Sequence, residues 1–188
     1  MSDTPVPTRI VTAAGTLDFQ DYFVRQQAEP VARSIRYEGS TAAAPSPMAR
    51  AALTRQDLAA TIITPSNPWL SIDPILSLSD IKSTISGNKP PVVGVSPIVA
   101  GKAIKGPTAK LMQEMGIEPS VTSIAAHYAG VLDGLVIDQQ DAALAAAVEE
   151  TGITVEITNT IMHSIEDKIA LAQCVLELAG RLNTTRNT

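Results

Sequence analysis

Four short runs constrain this chain more than any other feature: residues 60–63 (ATII), 92–95 (VVGV), 135–137 (LVI) and 153–158 (ITVEIT). The first three are apolar almost throughout, not alternately apolar and polar. A strand of that kind is buried on both faces, which is the condition of a parallel sheet. Parallel neighbours need a long crossover, usually a helix. The intervening segments supply such helices. Residues 107–115 open with Pro107 and stop before Gly116, the expected asymmetry of helix ends. Residues 120–128 and 141–150 read as helices, the latter stopped by Gly152. Ser164 and Asp167 form a capping box for a last amphipathic helix that is expected to end near Gly180. The predicted class is α/β, a mostly parallel sheet covered on both faces.

The first 47 residues differ. Residues 9–12 and 16–17 flank Ala13-Ala14-Gly15 and read as a small hairpin. Residues 18–25 read as a helix with Asp18 as cap and Phe19, Tyr22 and Phe23 on one face. Residues 31–37 alternate, as a half-buried strand does. A helix is expected at 48–54, helical turns at 71–76 and 79–85, each opened by a serine, and a turn at 88–91. The organisation is a single domain over 1–188, with a hairpin, helix and strand segment at 1–47, a βα core at 48–182 and a frayed tail at 183–188.

Composition removes several functions. Aromatic residues are 3% of the chain, too few for a base-stacking platform, and the formal charge is −5, so no basic field attracts a nucleic-acid backbone. No apolar run approaches the length of a membrane span, and the first residues lack the charged and apolar regions of a secretory signal. A cytoplasmic protein is expected. The single cysteine, Cys174, can form neither an intrachain disulfide nor a cysteine metal cluster, and reads as a buried structural thiol in a helix.

Ligand chemistry is sought beyond the carboxyl ends of the parallel strands. Two loops there share a pattern. Residues 64–68 read TPSNP, and residues 96–107 read SPIVAGKAIKGP. Ser66, Asn67 and Ser96 are neutral donors. Pro65, Pro68 and Pro97 fix φ and lower the entropy lost when a loop holds a ligand. Gly101 and Gly106 allow close backbone approach, and Lys102 and Lys105 precede a helix N-terminus, which favours negative charge. This suits a small anion such as a diphosphate. The plainer alternative is that the prolines stop strands and the lysines are solvated. The phosphate loop Gly-x-x-x-x-Gly-Lys is absent. A third group spans 127–141: Asp138 ends a strand and faces the same side, Asp141 reads as a helix cap, and Asp133 belongs to a turn. His127 has no companion at metal-ligand spacing, and His163 reads as exposed.

Five separated stretches carry a resemblance to a known family: residues 1–27, TPSNPWLSIDPIL, VSPIVAGKAIKGP, AAHYAGVLDGLVIDQQDAAL and TNTIMHSIEDKIALAQCVLELAG. Together they resemble the 2-phospho-L-lactate transferase family, whose actinobacterial members are phosphoenolpyruvate transferases. The resemblance covers essentially the whole chain. It implies a Rossmann-like three-layer sandwich. It also implies transfer of a phospholactyl or phosphoenolpyruvyl group from a guanosine diphosphate carrier to the deazaflavin Fo, in factor 420 biosynthesis, with Mg2+ assisting. A homodimer is also implied. On that basis Ser66, Asn67, Pro68, Ser96, Pro97, Lys105 and Gly106 are expected to line the nucleotide and diphosphate crevice. The family's Gly-rich first strand and loop and its acidic metal-binding segment have no counterpart in these residues. The chain is therefore expected to correspond to the C-terminal larger part of such an enzyme, without its N-terminal strands. The alternatives are a nucleotide-binding or interaction module without catalysis, and a regulator that binds a sugar nucleotide.

Overall fold

The computed structural model describes residues 1–86 and 90–186. Residues 88 and 89 of the turn expected at 88–91, and the last two residues of the expected frayed tail, lie outside them. In chain order, β1 (Thr8–Thr12) and β2 (Gly15–Asp18) form the expected hairpin, and β3 (Ala32–Tyr37) pairs antiparallel on the other side of β1. Asp18 is the last residue of β2, not a helix cap; a π-helical turn follows at Asp21–Arg25. It buries Tyr22, while Phe19 and Phe23 stack on each other at 5.5 Å and Phe23 stays exposed. Next come α1 (Pro47–Leu53), capped by Ser46, and β4 (Thr61–Ile63). A helical turn at Pro68–Ile72 runs straight into α2 (Asp73–Leu76), followed by α3 (Ile81–Ile85). The helical turn thus opens at Pro68, three residues before the serine expected to start it, because Asn67 supplies the cap.

The chain continues through β5 (Val92–Val95), the short hairpin β6 (Ile98–Val99) and β7 (Lys102–Ala103), α4 (Thr108–Glu114), α5 (Val121–His127) and β8 (Gly134–Asp138). A 3-10 turn (Gln139–Leu144), α6 (Ala145–Glu149), β9 (Thr154–Thr158) and α7 (Ile165–Arg186) complete it. The last helix passes through Gly180 rather than ending there. Leu178 is fully buried and packs with Leu182 against the sheet, and that burial exceeds the roughly 1 kcal/mol helix cost of one glycine.

Strands β4-β5-β8-β9 form one sheet, parallel at every pairing. Side chains alternate across it. Ile63, Val92, Leu135 and Ile137 join α5 and α6 in the larger core, whereas Val93, Val95 and Val136 meet Leu171, Val175, Leu178 and Ala179 of α7. This is a helix–sheet–helix sandwich of the Rossmann-like kind, as the apolar runs demand. The small N-terminal sheet packs on the α4 side, where Ile10, Tyr22 and Ala32 enclose Leu111 and the Ala32 amide donates to Glu114 Oε2 at 2.9 Å. Tyr37 ties β3 to the Pro68 turn by donating to the Trp69 carbonyl at 2.6 Å. Asp73 then meets His127 Nε2 at 3.0 Å. Burial comes first among the causes that push the Tyr37 hydroxyl far above its ordinary pKa, with the Asp73 carboxylate next. Tyr37 is therefore a neutral donor at every working pH. No helix among the described residues is long and apolar enough to cross a membrane.

Glycine matters where α7 crosses β8. A Cβ at Gly134 would stand 2.9 Å from Leu178 Cδ2 and 3.0 Å from Leu182 Cδ1. Gly134→Val is expected to push α7 off the sheet and cost about 1–3 kcal/mol, as overpacking does. Chemical denaturation should show a lower midpoint with an unchanged slope; an unchanged midpoint would refute the close approach.

Candidate functional site

The carboxyl ends of the parallel strands open into a crevice of about 450 Å³. Three walls meet there: Pro65 and Asn67 after β4, Ser96 and Pro97 after β5, and residues 160–163 after β9. Ile104, Lys105 and Thr108 close it from the β7–α4 connection, and Lys168 reaches it from the first turn of α7.

Asn67 is the most informative residue. Its Oδ1 accepts the Leu70 amide at 3.0 Å and so caps the Pro68 turn. That contact fixes which end of the amide faces inward. The Nδ2 end is buried and has no hydrogen-bond partner. A buried donor left unpaired costs about 1–3 kcal/mol, and such a cost is recovered when a ligand supplies an acceptor.

The other expected residues divide. Ser96, Pro97 and Lys105 line the crevice with Asn67, whereas Ser66, Pro68, Gly106 and Lys102 do not. Ser66 sits beside Thr64, their hydroxyls 3.4 Å apart. Pro68 is buried as the first residue of the turn, and Gly106 bends the chain with φ +69° on the way into α4. The Ser96 hydroxyl is engaged within its own loop, accepting from the Ile98 amide at 3.1 Å and donating to the Ile98 carbonyl at 2.9 Å. Ser96 shapes the wall and has no hydroxyl proton left to offer a ligand. Lys105 has no ion-pair partner among the described residues.

Two aspartates take roles other than those expected from sequence. Asp138 does not face the crevice. It is fully buried and accepts from the Gln140 amide (3.0 Å), Gln140 Nε2 (3.1 Å), the Thr160 amide (2.8 Å) and Thr160 Oγ1 (3.1 Å). Burial acts to raise its pKa, but these four hydrogen bonds outweigh it and hold the carboxyl below the usual carboxylate range. Asp138, not Asp141, is the cap of the helical segment after β8. Asp141 instead accepts the Ala100 amide at 3.0 and 3.2 Å, pinning the β6–β7 turn in which Ala100 and Gly101 both have positive φ. Cys174 is half-buried rather than buried, and burial first, then Glu156 and Glu177, push its thiol up, away from nucleophilic use.

The β9 wall was not legible from the motifs. Thr160, Met162, His163 and Lys168 follow a strand that ends on the same side as β4 and β5, so the strand-end rule applied to a third strand would have found them. The Ser164–Asp167 box holds this wall in place: Asp167 Oδ2 accepts the His163 and Ser164 amides at 2.8 Å, and Ser164 Oγ accepts the Asp167 amide at 3.2 Å. Beside the crevice an almost wholly apolar slot of about 360 Å³ runs between Ile62, Val95 and α7, sharing Pro65, Met162 and Lys168 with it.

The implied magnesium ion does not fit these residues. The crevice presents lysines and no carboxylate, the nearby Asp138 and Asp141 are engaged by backbone donors, and no metal-binding group of three His, Cys, Asp or Glu occurs among the described residues.

Similarity to known proteins decides the family. The model of the family described as 2-phospho-L-lactate transferase CofD matches residues 1–173. The chain belongs to the CofD family. It is 40% identical over 186 residues to the 2-phospho-L-lactate transferase of Methanocaldococcus jannaschii, covering 97% of this chain and 58% of that protein. It is 38% identical to the 2-phospho-L-lactate transferase of Methanopyrus kandleri, over 97% of this chain and 57% of that protein. The phosphoenolpyruvate transferase of Streptomyces griseus is 33% identical over 95% of this chain and 57% of its own length. The chain thus spans well under two thirds of each of these CofD relatives.

Proposed function

We propose that this chain forms the nucleotide-binding part of a CofD-type transferase. It holds a guanosine diphosphate carrier while a phospholactyl or phosphoenolpyruvyl group passes to a hydroxyl of the deazaflavin Fo. The single observation that carries the binding role is Asn67 on the wall of a crevice that also contains Lys105, with a side-chain Nδ2 that no internal acceptor satisfies. A phosphate oxygen is an acceptor-only, charged partner, so it satisfies both groups at once.

In the transfer, the acceptor hydroxyl oxygen forms a new bond to the phosphorus bearing the lactyl or enolpyruvyl group. The bridging P–O bond breaks, guanosine monophosphate departs with the electron pair, and the hydroxyl proton is released. Such a step depends mainly on positioning and charge neutralisation. Here Asn67 orients one phosphoryl oxygen, Lys105 offsets charge, and the proline-fixed loops keep the geometry without loss of loop entropy on binding. Magnesium carries no step in this reading. The lactyl and enolpyruvyl readings each have support in the names of the relatives.

Calorimetry with guanosine diphosphate against a uridine diphosphate sugar tests the binding role, and a transfer assay with Fo, the carrier and magnesium tests the reaction. Selective guanosine diphosphate binding with product formation supports the whole reading. Binding without product would assign the chain to the non-catalytic alternative. Preference for the sugar nucleotide, or no binding of either, would overturn the reading.

A further inference from the structure

We propose that Lys168, on the first turn of α7, is a second phosphate-positioning cation and makes the crevice prefer a diphosphate to a monophosphate. The proposal rests on the diphosphate reading above.

Lys168 lines both the crevice and the adjoining apolar slot, the latter together with Met162 and Leu171. A lysine at such a boundary lays its methylene stem along apolar surface and presents its ammonium to the polar side. Its charge is uncompensated: Lys168 has no ion-pair partner among the described residues. Its sequence neighbour Asp167 does not pair with it, because that carboxylate is held by the His163 and Ser164 amides. The same box fixes the backbone that carries Lys168.

Lys105 belongs to a separate element, the β7–α4 connection, and is likewise unpaired. Two free cations from different walls of one crevice are best satisfied by an anion with charge on two linked phosphoryl groups. A monophosphate engages one of them fully and leaves the other in water. Transfer breaks the diphosphate linkage, so the nucleotide product loses part of this contact at the moment it must leave.

Calorimetry on the full chain, with a chelator present so that the lysines are the cations under test, measures the role. Wild type is expected to bind guanosine diphosphate about tenfold or more tighter than guanosine monophosphate. Lys168→Met preserves the stem. It is expected to weaken diphosphate binding about tenfold and monophosphate binding little, so the preference collapses. Lys168→Arg is expected to restore most of it. Equal weakening of both nucleotides, or no weakening of either, overturns the assignment of Lys168 while leaving the diphosphate reading intact. Failure of the wild type to bind either nucleotide overturns the diphosphate reading together with this role. Unchanged thermal unfolding of both variants confirms that the fold is not the cause.

Discussion

Asn67→Asp is expected to lower affinity for guanosine diphosphate about a hundredfold while keeping the cap on the Pro68 turn, at a cost in fold stability for the charge placed where Nδ2 is now buried. The substitution separates the two ends of one side chain. Aspartate keeps the oxygen that accepts the Leu70 amide at 3.0 Å, and it is as good a cap as asparagine. At the other end a buried donor becomes a carboxylate oxygen. A charge-assisted hydrogen bond to phosphate is lost, and like charges are brought together; the two effects sum to about 3 kcal/mol. Asn67→Ala removes both ends, without adding a charge, and should destabilise the Pro68 turn by about 1 kcal/mol. Calorimetry and thermal unfolding on both variants check this. Unchanged nucleotide affinity in Asn67→Asp would remove Asn67 from the site.

Asp138→Ala is expected to destabilise the protein by about 3–5 kcal/mol, enough to unfold much of a marginally stable domain. The Thr160 and Gln140 amides and the Thr160 hydroxyl would lose their acceptor where the carboxylate is now fully buried. The effect has a pH signature. The folded carboxyl titrates below its unfolded value, so its contribution is present above about pH 4 and is lost as pH falls through the folded pKa. Asp138→Asn should therefore flatten the loss of stability below about pH 4 that the wild type shows. Because Thr160 lines the crevice, a folded Asp138 variant should also bind nucleotide more weakly. Equilibrium denaturation across the acid range measures both the offset and the slope; a variant as acid-sensitive as wild type would refute the role.

Much of the architecture was legible because it depends on side-chain periodicity. The runs at 92–95 and 135–137 are apolar on both faces, and they are the two central strands of the parallel sheet. Ser164 and Asp167 were readable because a capping box involves residues three apart in sequence. The helix continuing past Gly180 was not readable, since its reason is Leu178 and Leu182 meeting Gly134, more than forty residues away. The same holds for Asp141, whose partner is the Ala100 amide across the crevice wall.

At the site, sequence pointed to the two proline-rich loops because chain chemistry alone marks them as stiff and rich in donors. It could not tell that the Ser96 hydroxyl is satisfied within its loop while Asn67 Nδ2 is not. Nor could it bring Lys168 to the same crevice as Lys105. By itself the sequence determined the alternation of buried strands and helices, the Ser164–Asp167 capping box and the family, all of which are written in local pattern and residue order. Tertiary structure decided which polar groups are left without partners. That is a property of what surrounds each group in space, which the order of residues along the chain does not record.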